Sequence, residues 1–266
     1  MAKFFVEENQ VNLDKNQITI LGEDTNHINN VLRLSKNEKI LVSVKSDNPK
    51  TYIVSIQNIE DNKVLCNIVK KLDILNEPKI QLSIFQGIPK FDKMEWIIQK
   101  CTELGASSFI PLDLKRCVVK LKSKDEIKKN ERWQKISEVA SKQSGRDIIP
   151  KVYGKISLNE LCNKINDYDI VFVAYEQEND FSLKYYAEKI QNSRKIAIVI
   201  GPEGGFDESE VENLKNAGAK IISLGNRILR TETAPIALTS IIMYESGNLE
   251  RVNGNGWIKR RCFFKK

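Results

Sequence analysis

The chain has 266 residues, of which 41% are hydrophobic and 29% charged, which fits two modest globular domains. It has no apolar run of membrane-spanning length and no signal-peptide-like start, and its five cysteines lack the C-x-x-C spacing of a zinc site. We therefore expect a cytoplasmic protein without a bound metal or a disulfide framework. The net charge of +7 favours an anionic partner such as nucleic acid, but six basic residues lie beyond position 250, so local clusters matter more than the total.

The first 72 residues contain short strands. The segments Lys3–Val6, Gln17–Leu21, 39–45, 51–59 and 63–71 alternate apolar and polar residues or are rich in β-branched ones. One helical segment, residues 27–34, interrupts them. This pattern predicts a small β-barrel domain over residues 1–72, followed by a charged, proline-containing linker at 73–78.

Strands and helices alternate from residue 80 onward. Five strands are predicted near residues 80, 108, 169, 195 and 220, and helices are predicted at 92–104, 130–144, 182–190, 207–217 and 233–246. This order predicts a parallel α/β sheet in a second domain, residues 79–249, with a basic tail at 250–266. The last helix is apolar around most of its circumference, so either the core of a monomer or a second subunit must cover it.

Two loops of the second domain are rich in glycine or bounded by threonine. The first is IVIGPEGGF, residues 198–206, and the second is LGNRILRTETAPIAL, residues 224–238; each carries a strand into a helix. Gly201, Gly204 and Gly205 permit a close backbone approach and positive φ angles. An ordinary tight turn needs fewer glycines, so the two loops predict a ligand pocket built from backbone amides.

The charges around the first loop indicate the ligand. Asp207, Glu208 and Glu210 crowd the first turn of the following helix and Glu203 lies in the loop, so a phosphate would meet four carboxylates and no lysine. No G-x-G-x-x-G follows the first strand of the domain either. We therefore expect a ligand with a purine, a ribose and a positive centre, rather than a dinucleotide or a triphosphate.

Six segments in chain order resemble one family. HINNVLRL, KMEWIIQKCTELG, RCV, ERWQKISEVASKQSGR, IGPEGGF and LGNRILRTETAPIA are similar to the 16S ribosomal RNA N3-methyluridine methyltransferases of the RsmE type, in the SPOUT class. The resemblance implies a PUA-like barrel that binds RNA, then a parallel α/β domain with a C-terminal trefoil knot that binds S-adenosylmethionine, in a homodimer. Lys3 stands where the family often has arginine, so we assign no RNA contact to it.

The resemblance also implies site residues. It assigns cofactor contact to Ile200, Gly201, Gly205, Leu224, Gly225, Leu229, Thr231 and Ala234, and Pro202, Glu203 and Gly204 complete the first of the two loops. Backbone groups of the second loop would hold the edge of the adenine, and apolar side chains its face.

Four arginines lie just past predicted strand or helix ends, where their positions suit contact with RNA phosphates or the target base: Arg116, Arg146, Arg227 and Arg230. Arg230, Arg146, Glu176 and Glu232 are the catalytic candidates, with the carboxylates as proton acceptors, and Glu103 is a further carboxylate of that kind. His27, Arg33, Arg116 and Arg227 are the RNA-binding candidates. We assign Cys117 to the core, because N3 of uridine is itself a nucleophile once deprotonated and needs no covalent adduct.

The sequence therefore predicts an S-adenosylmethionine-dependent enzyme that methylates N3 of a uridine in 16S ribosomal RNA of the small subunit. Two alternatives stay open at this point: a SPOUT enzyme that acts on a ribose 2′-oxygen or a guanine, and a non-catalytic RNA-binding protein in which the glycine loops are structural.

Overall fold

The structure is a computed structural model that describes residues 1–46, 48–73 and 76–249. It divides into two compact units. The first unit contains Met1–Glu77 together with the short segment Gly145–Ile148, and the second contains Pro78–Ser144 and Ile149–Leu249. The domain boundaries proposed above are close to this division, except that a four-residue segment from the middle of the chain belongs to the first unit.

The first unit is built on a six-stranded sheet. Its strands are β1 (Lys3–Val6), β2 (Val11–Asn12), β3 (Gln17–Leu21), β4 (Lys39–Val44), β5 (Thr51–Glu60) and β6 (Lys63–Leu72). They lie in the order β1, β4, β5, β6, β3, β2, with β1 parallel to β4 and the other pairs antiparallel. Phe4, Ile18, Val42, Val54 and Cys66 are buried on its inner face, as the alternating pattern requires.

The predicted helix at residues 27–34 begins and ends earlier in the structure. Helix α1 covers Glu23–Asn26 and continues as one π-helical turn, His27–Val31. Ile28 is buried, whereas His27 and Val31 are exposed. Arg33 adopts a positive φ of 50°, which the right-handed helix cannot accommodate, so the helical turns end before it.

The segment Gly145–Ile148 is tied to the first unit by buried ion pairs. The Lys3 ammonium pairs with the Asp147 carboxylate and donates a hydrogen bond of 3.3 Å to the Gly145 carbonyl. The Asp147 carboxylate also accepts a hydrogen bond of 2.6 Å from the Thr51 hydroxyl. Removing one partner of such a buried pair typically costs several kcal/mol, on the order of 3–5. Lys3 therefore has a structural role: it holds the segment Gly145–Ile148 in the first unit.

The second unit contains the remaining strands and most of the helices. The strands are β7 (Gln81–Gly87), β8 (Ser108–Asp113), β9 (Lys151–Val152), β10 (Ile156–Ser157), β11 (Ile170–Ala174), β12 (Lys195–Ile200) and β13 (Lys220–Ile222). The helices are α2 (Lys93–Leu104), α3 (Ser123–Ser144), α4 (Leu158–Lys164), α5 (Ala187–Asn192), α6 (Glu208–Asn216) and α7 (Thr233–Glu245).

These strands form a parallel sheet in the order β10, β8, β7, β12, β11, β13, and β9 also pairs with β8. The parallel α/β sheet is thus confirmed. The central strand β12 is buried from Ile196 to Ile200 because helices cover both faces of a parallel sheet. Its carboxyl end lies between the ends of β7 and β11, and the glycine-rich loop starts there.

Several local predictions differ from the structure. The described residues of the second unit form seven strands where five were predicted, because β9 and β10 have only two residues each. Helix α3 begins at Ser123, seven residues before the predicted start. Its first turns consist of polar residues that favour a helix but show no apolar periodicity, so the sequence pattern did not indicate them. Helix α4 was missed, although Ser157 and Glu160 form a capping box at its start.

The predicted helix caps agree with the structure better than the predicted helix boundaries do. Asp207 caps α6 and forms a capping box with Glu210, as its spacing predicts. Asp92 lies at the start of α2 but makes no side-chain capping hydrogen bond. Gly105 ends α2 with a left-handed φ of 110°, a conformation that residues with a β-carbon rarely adopt.

Candidate functional site

A cavity of about 730 Å³ opens at the carboxyl ends of β11 and β12. Three chain segments line it: residues 174–179 after β11, residues 200–206 after β12, and residues 223–231 before α7. Lys93 and Ala234 complete the wall. This is the place where ligands bind in open parallel sheets, because loops from neighbouring strands converge there.

The first loop depends on its glycines. The Gly205 amide donates to the Pro202 carbonyl at 2.9 Å, which closes a tight turn. Gly205 has a φ of +67°, and a β-carbon there would lie 2.6 Å from Oε1 of Glu176. A β-carbon on Gly201 would lie 3.2 Å from the Phe206 ring. The loop therefore requires glycine at 205 for conformation and at 201 for space.

Hydrogen bonds of Thr231 and Gln86 connect the second loop to the first. The Thr231 hydroxyl donates to the Gly201 carbonyl at 2.7 Å, and Nε2 of Gln86 donates to the Thr231 hydroxyl oxygen at 2.9 Å. Gln86 is fully buried at the end of β7, and Nε2 also donates to the Gly87 carbonyl at 3.0 Å. These carbonyls fix the orientation of the amide, since the opposite orientation would bring oxygen against oxygen. The end of β7, the loop after β12 and the loop before α7, which are far apart in the sequence, are thus connected beside the cavity.

Lys93 carries the main ion pairs of the site. Its Nζ lies 2.9 Å from Oε1 of Glu203 and 3.3 Å from Oε2 of Glu232. The hydrogen bond to Glu203 raises the pKa of Lys93. Burial opposes the charged form of Glu203, but hydrogen bonds from Lys93 and from the backbone N–H groups of Glu203 and Lys90 outweigh it and lower the pKa of that carboxyl.

The expectation that no lysine accompanies the four carboxylates is wrong. Lys93 pairs with Glu203, and Nζ of Lys115 lies 2.9 Å from the Asp207 carboxylate. The Glu210 carboxylate is buried and accepts the Lys115 amide at 2.8 Å. These lysines come from α2 and from the loop after β8, far away in sequence, so the local pattern did not contain them.

Three charged side chains of the cavity form neither an ion pair nor a hydrogen bond in the described ranges: Glu176, Arg227 and Arg230. All three are exposed and line the wall, and none forms an ion pair with another residue in the described ranges. Glu178, in contrast, is engaged, because its Oε1 accepts the Asp180 amide at 2.7 Å. A carboxylate and two guanidinium groups therefore face the cavity with their charge uncompensated.

The cavity brings together most of the predicted site residues. All eleven predicted cofactor residues line it: Ile200, Gly201, Pro202, Glu203, Gly204, Gly205, Leu224, Gly225, Leu229, Thr231 and Ala234. The candidates Glu176, Arg227 and Arg230 line it as well. The role of each residue stays a prediction.

Six other candidates lie outside the cavity wall, and one of them, Glu103, pairs with Lys100 at 3.0 Å. Glu232 precedes α7 and faces Lys93, and Nη1 of Arg116 donates to the Gly204 carbonyl at 3.1 Å, on the outside of the loop. Arg146 is buried in the first unit, with Nη2 at 2.6 Å from Oε2 of Glu77. Its guanidinium thus already holds an ion pair with Glu77, and its catalytic role stays a prediction. His27 and Arg33 are exposed residues of the first unit.

The sequence reasoning missed several cavity residues. Tyr175 and Asn179 follow β11, and the rule that ligands bind at the carboxyl ends of parallel strands could have identified them. Lys93 and Gln86 had no such signal, because their partners lie more than a hundred residues further along the chain.

The described part of the chain also bears on metal ligation, membrane crossing and the thiol of Cys117. No three His, Cys, Asp or Glu side chains come together there as metal ligands would, and no helix there is long and apolar enough to cross a membrane. Cys117 is buried, and burial raises the pKa of its thiol, which disfavours the nucleophilic thiolate.

Comparison with known proteins agrees with this site. Residues 76–243 match the family model of the RNA methyltransferase domain. Ribosomal RNA small subunit methyltransferase E of Bacillus subtilis (strain 168) is 38% identical, over 92% of this chain and 97% of its own. The enzyme of the same name from Mesomycoplasma hyopneumoniae (strain 232) is 32% identical, over 90% of this chain and 97% of its own.

A solved structure is similar over the same length. The crystal structure of a ribosomal RNA small subunit methyltransferase E from Neisseria gonorrhoeae bound to S-adenosyl methionine has a TM-score of 0.79 and 28% sequence identity, covering 92% of this chain and 97% of that one. Because the family model spans more than half of the chain and relatives above 30% identity align along nearly all of it, the chain belongs to the ribosomal RNA small subunit methyltransferase E family.

Proposed function

We propose that this ribosomal RNA methyltransferase transfers a methyl group from S-adenosylmethionine to N3 of a uridine in 16S ribosomal RNA of the small subunit. One observation carries the proposal: the cavity that contains all the predicted cofactor residues also presents an uncompensated guanidinium, Arg230, and an uncompensated carboxylate, Glu176. Transfer to a uridine N3 needs both, since the atom must lose a proton and the resulting anion must be stabilised.

The cavity fits S-adenosylmethionine. Its volume of about 730 Å³ lies within the range of small-molecule sites, roughly 300–1,000 Å³. Gly225 has a φ of +94° and no atom within 4 Å of the position of a β-carbon, so its backbone faces open space. Ile200, Leu224 and Leu229 provide apolar surface for an adenine, and Glu176 provides a charge opposite to that of a sulfonium. The cofactor, when bound, supplies an electrophilic methyl group on that sulfonium.

The carboxylate that accepts the N3 proton is proposed to be Glu176. Glu232 is the nearest candidate to Arg230 in sequence, but it forms an ion pair with Lys93 at 3.3 Å. Glu176 has no partner among the described residues and faces the cavity. Arg230 keeps its charge throughout and cannot take the proton, so it stabilises the uridine anion.

The SPOUT-type trefoil knot is part of this proposal. Its support is the meeting of three segments: a β-carbon on Gly87 would lie 2.7 Å from Pro202, and Thr231 hydrogen-bonds both Gly201 and Gln86. The chain at Thr231 thus contacts the ends of both β7 and β12. True knots are almost absent from proteins, so the family resemblance remains necessary to the assignment.

The first unit is proposed to be a PUA-like barrel that contacts RNA through His27 and Arg33. Strands β1 and β3 approach each other although they are not hydrogen-bonded neighbours, which brings opposite parts of the curled sheet together. Both proposed contact residues are exposed. Contacts of this kind position an RNA without reading its sequence.

We propose a homodimer because large side chains of α7 are exposed. One side of the helix, including Leu238 and Ile242, is fully buried, but Ile241 is 42% exposed and Tyr244 is 68% exposed. A second copy of the chain would cover this apolar side. Sedimentation at working enzyme concentrations tests it, and a monomer with full activity would remove the dimer from the mechanism.

The test of the function is to incubate the protein with S-adenosylmethionine and cytoplasmic small ribosomal subunits that lack their modifications, and then to identify the methylated nucleoside by mass mapping. We expect N3-methyluridine. A 2′-O-methylated nucleoside or a methylguanine would show a SPOUT enzyme of different specificity. Cofactor binding without any methylation would favour a non-catalytic RNA-binding protein.

A further inference from the structure

The positive charge of the described chain is concentrated in one segment. Residues 1–77, which were expected to dock RNA, contain ten Lys and Arg against eleven Asp and Glu. Residues 115–142, the loop after β8 and most of α3, contain ten Lys and Arg against four Asp and Glu. A polyanion is attracted by local positive potential rather than by total charge, so this segment is the stronger candidate for phosphate contact.

Some cations of the segment are already neutralised. Lys115 pairs with Asp207 at 2.9 Å, Lys120 with Asp113 at 2.7 Å, and Arg132 with Glu95 at 2.7 Å. Four others have no carboxylate partner in residues 1–46, 48–73 and 76–249: Lys122, Lys124, Lys128 and Lys129. We call these four residues the α3 basic surface.

The α3 basic surface faces solvent. Lys122, Lys124 and Lys128 are exposed and Lys129 is half-buried, whereas Trp133, Ser137 and Ser141 of the same helix are buried against the second unit. Lys124 and Lys128 are four residues apart and therefore adjacent on the helix. Like charges at this spacing destabilise a helix by about 0.2–0.5 kcal/mol, so helix stability does not explain this pair.

The segment starts at the rim of the cavity. Nη1 of Arg116 donates to the Gly204 carbonyl of the glycine-rich loop at 3.1 Å, and the Lys115 amide donates to Glu210 of α6 at 2.8 Å. From this anchor the chain enters α3 at Ser123. A strand bound along it would have one end beside the cavity in which a base must be placed.

We propose that the α3 basic surface binds the phosphate backbone of the ribosomal RNA substrate and so carries much of the electrostatic affinity of the enzyme. The surface holds RNA through charge, without reading bases, while the cavity selects the nucleotide. The inference rests on the proposed function, because it takes ribosomal RNA as the substrate.

The experiment compares two variants with the same change in net charge. In the first, Lys122, Lys124, Lys128 and Lys129 are all changed to Gln; in the second, the exposed lysines Lys184, Lys189, Lys215 and Lys220 of the same unit are changed to Gln. The probe is an unmodified transcript of small-subunit ribosomal RNA, and its dissociation constant is measured between about 50 and 200 mM salt, where phosphate contacts dominate the dependence.

We expect the α3 variant to bind the transcript at least about tenfold more weakly than the wild type, with a salt slope smaller by about 0.7 for each phosphate that is no longer neutralised. The control variant should weaken binding much less, and a variant with four Lys→Arg changes in α3 should restore it. Equal weakening in both Gln variants, or wild-type affinity in both, would overturn the proposal.

The binding of S-adenosylmethionine, followed by calorimetry, separates this inference from the proposed function. An α3 variant that binds the cofactor like the wild type but the transcript weakly supports the basic surface. If the wild type binds the transcript through these lysines but methylates a different atom, the assignment to uridine N3 fails while the docking surface stands.

Discussion

The ammonium of Lys93 lies 2.9 Å from the Glu203 carboxylate, so the first turn of α2 holds the tip of the glycine-rich loop. The same ammonium lies 3.3 Å from Glu232, just before α7. One lysine thus connects the two loops that form the cavity. The side chains of Lys93, Glu203 and Glu232 are 28%, 26% and 17% exposed, so the ion pairs are partly shielded from solvent screening.

Lys93→Met should weaken cofactor binding. The change leaves two mostly buried carboxylates without their cation, and we expect the dissociation constant for S-adenosylmethionine to rise about tenfold, which corresponds to roughly 1.4 kcal/mol. Calorimetry measures it. The control is Lys100→Met on the same helix, whose ammonium pairs with Glu103 at 3.0 Å outside the cavity. Equal affinities of the two variants would show that the pairing at Lys93 does not shape the site.

Gly205→Ala should abolish measurable cofactor binding in a folded protein. The new methyl group would lie 2.6 Å from Oε1 of Glu176, and the φ of +67° disfavours any β-carbon. Gly247→Ala is the matched control, since Gly247 has a φ of +70° but nothing within 4 Å of the added atom. Both variants carry a conformational cost, so a loss of cofactor affinity in Gly205→Ala alone would show that the change acts at the cavity and not through lower overall stability.

Arg230→Ala should slow methyl transfer on the order of 100-fold, the usual cost of losing one donor that stabilises a developing anion. The measurement is single-turnover methylation at saturating cofactor and RNA near neutral pH. Arg230→Lys retains the charge without the planar donor geometry and should recover only part of the rate. Arg194→Ala, an exposed arginine that does not line the cavity, serves as the control. A wild-type rate in Arg230→Ala would show that another cation stabilises the uridine anion.

Glu176→Gln should slow the same step by about 10² or more, because the variant cannot accept the N3 proton. Its rate should increase with pH more steeply than that of the wild type, since solvent must then remove the proton. Glu232→Gln tests the competing assignment: its carboxylate is paired with Lys93 and should matter less for the chemical step. If the Glu232 variant loses the rate and the Glu176 variant keeps it, the two roles are reversed.

Asp207 should contribute to acid stability. Hydrogen bonds from Ser209, and next the ammonium of Lys115, lower the pKa of this carboxyl from 3.8 to about 2. A pKa that is lower in the folded state adds stability above the unfolded value, and this stability is lost as the pH falls toward about 2. Urea unfolding of the wild type and Asp207→Asn should therefore differ by a constant amount above about pH 4, with the difference shrinking between about pH 4 and 2. A difference independent of pH across this window would contradict the assignment.

Local patterns predicted the elements that depend on neighbouring residues. The continuous apolar run in Lys195–Ile200 predicts β12, and the pair Asp207 and Glu210 predicts the start of α6. The glycines of residues 198–206 predicted a ligand loop, and all the expected cofactor residues line one cavity. Where the pattern was weak, as in the polar first turns of α3, the boundary was displaced by seven residues.

Contacts between distant parts of the chain were decided only by the tertiary structure. Arg146 was interpreted as a catalytic residue, but it is buried against Glu77, sixty-nine residues earlier in the chain. Lys93 was not singled out at all, because five further strands of the sheet separate it in sequence from Glu203 and six separate it from Glu232. Periodicity and capping record interactions within a few turns, so the sequence alone determined the elements, the glycine loops and the family. Which charges are neutralised, and which stay free for chemistry, depends on the path of the chain through space.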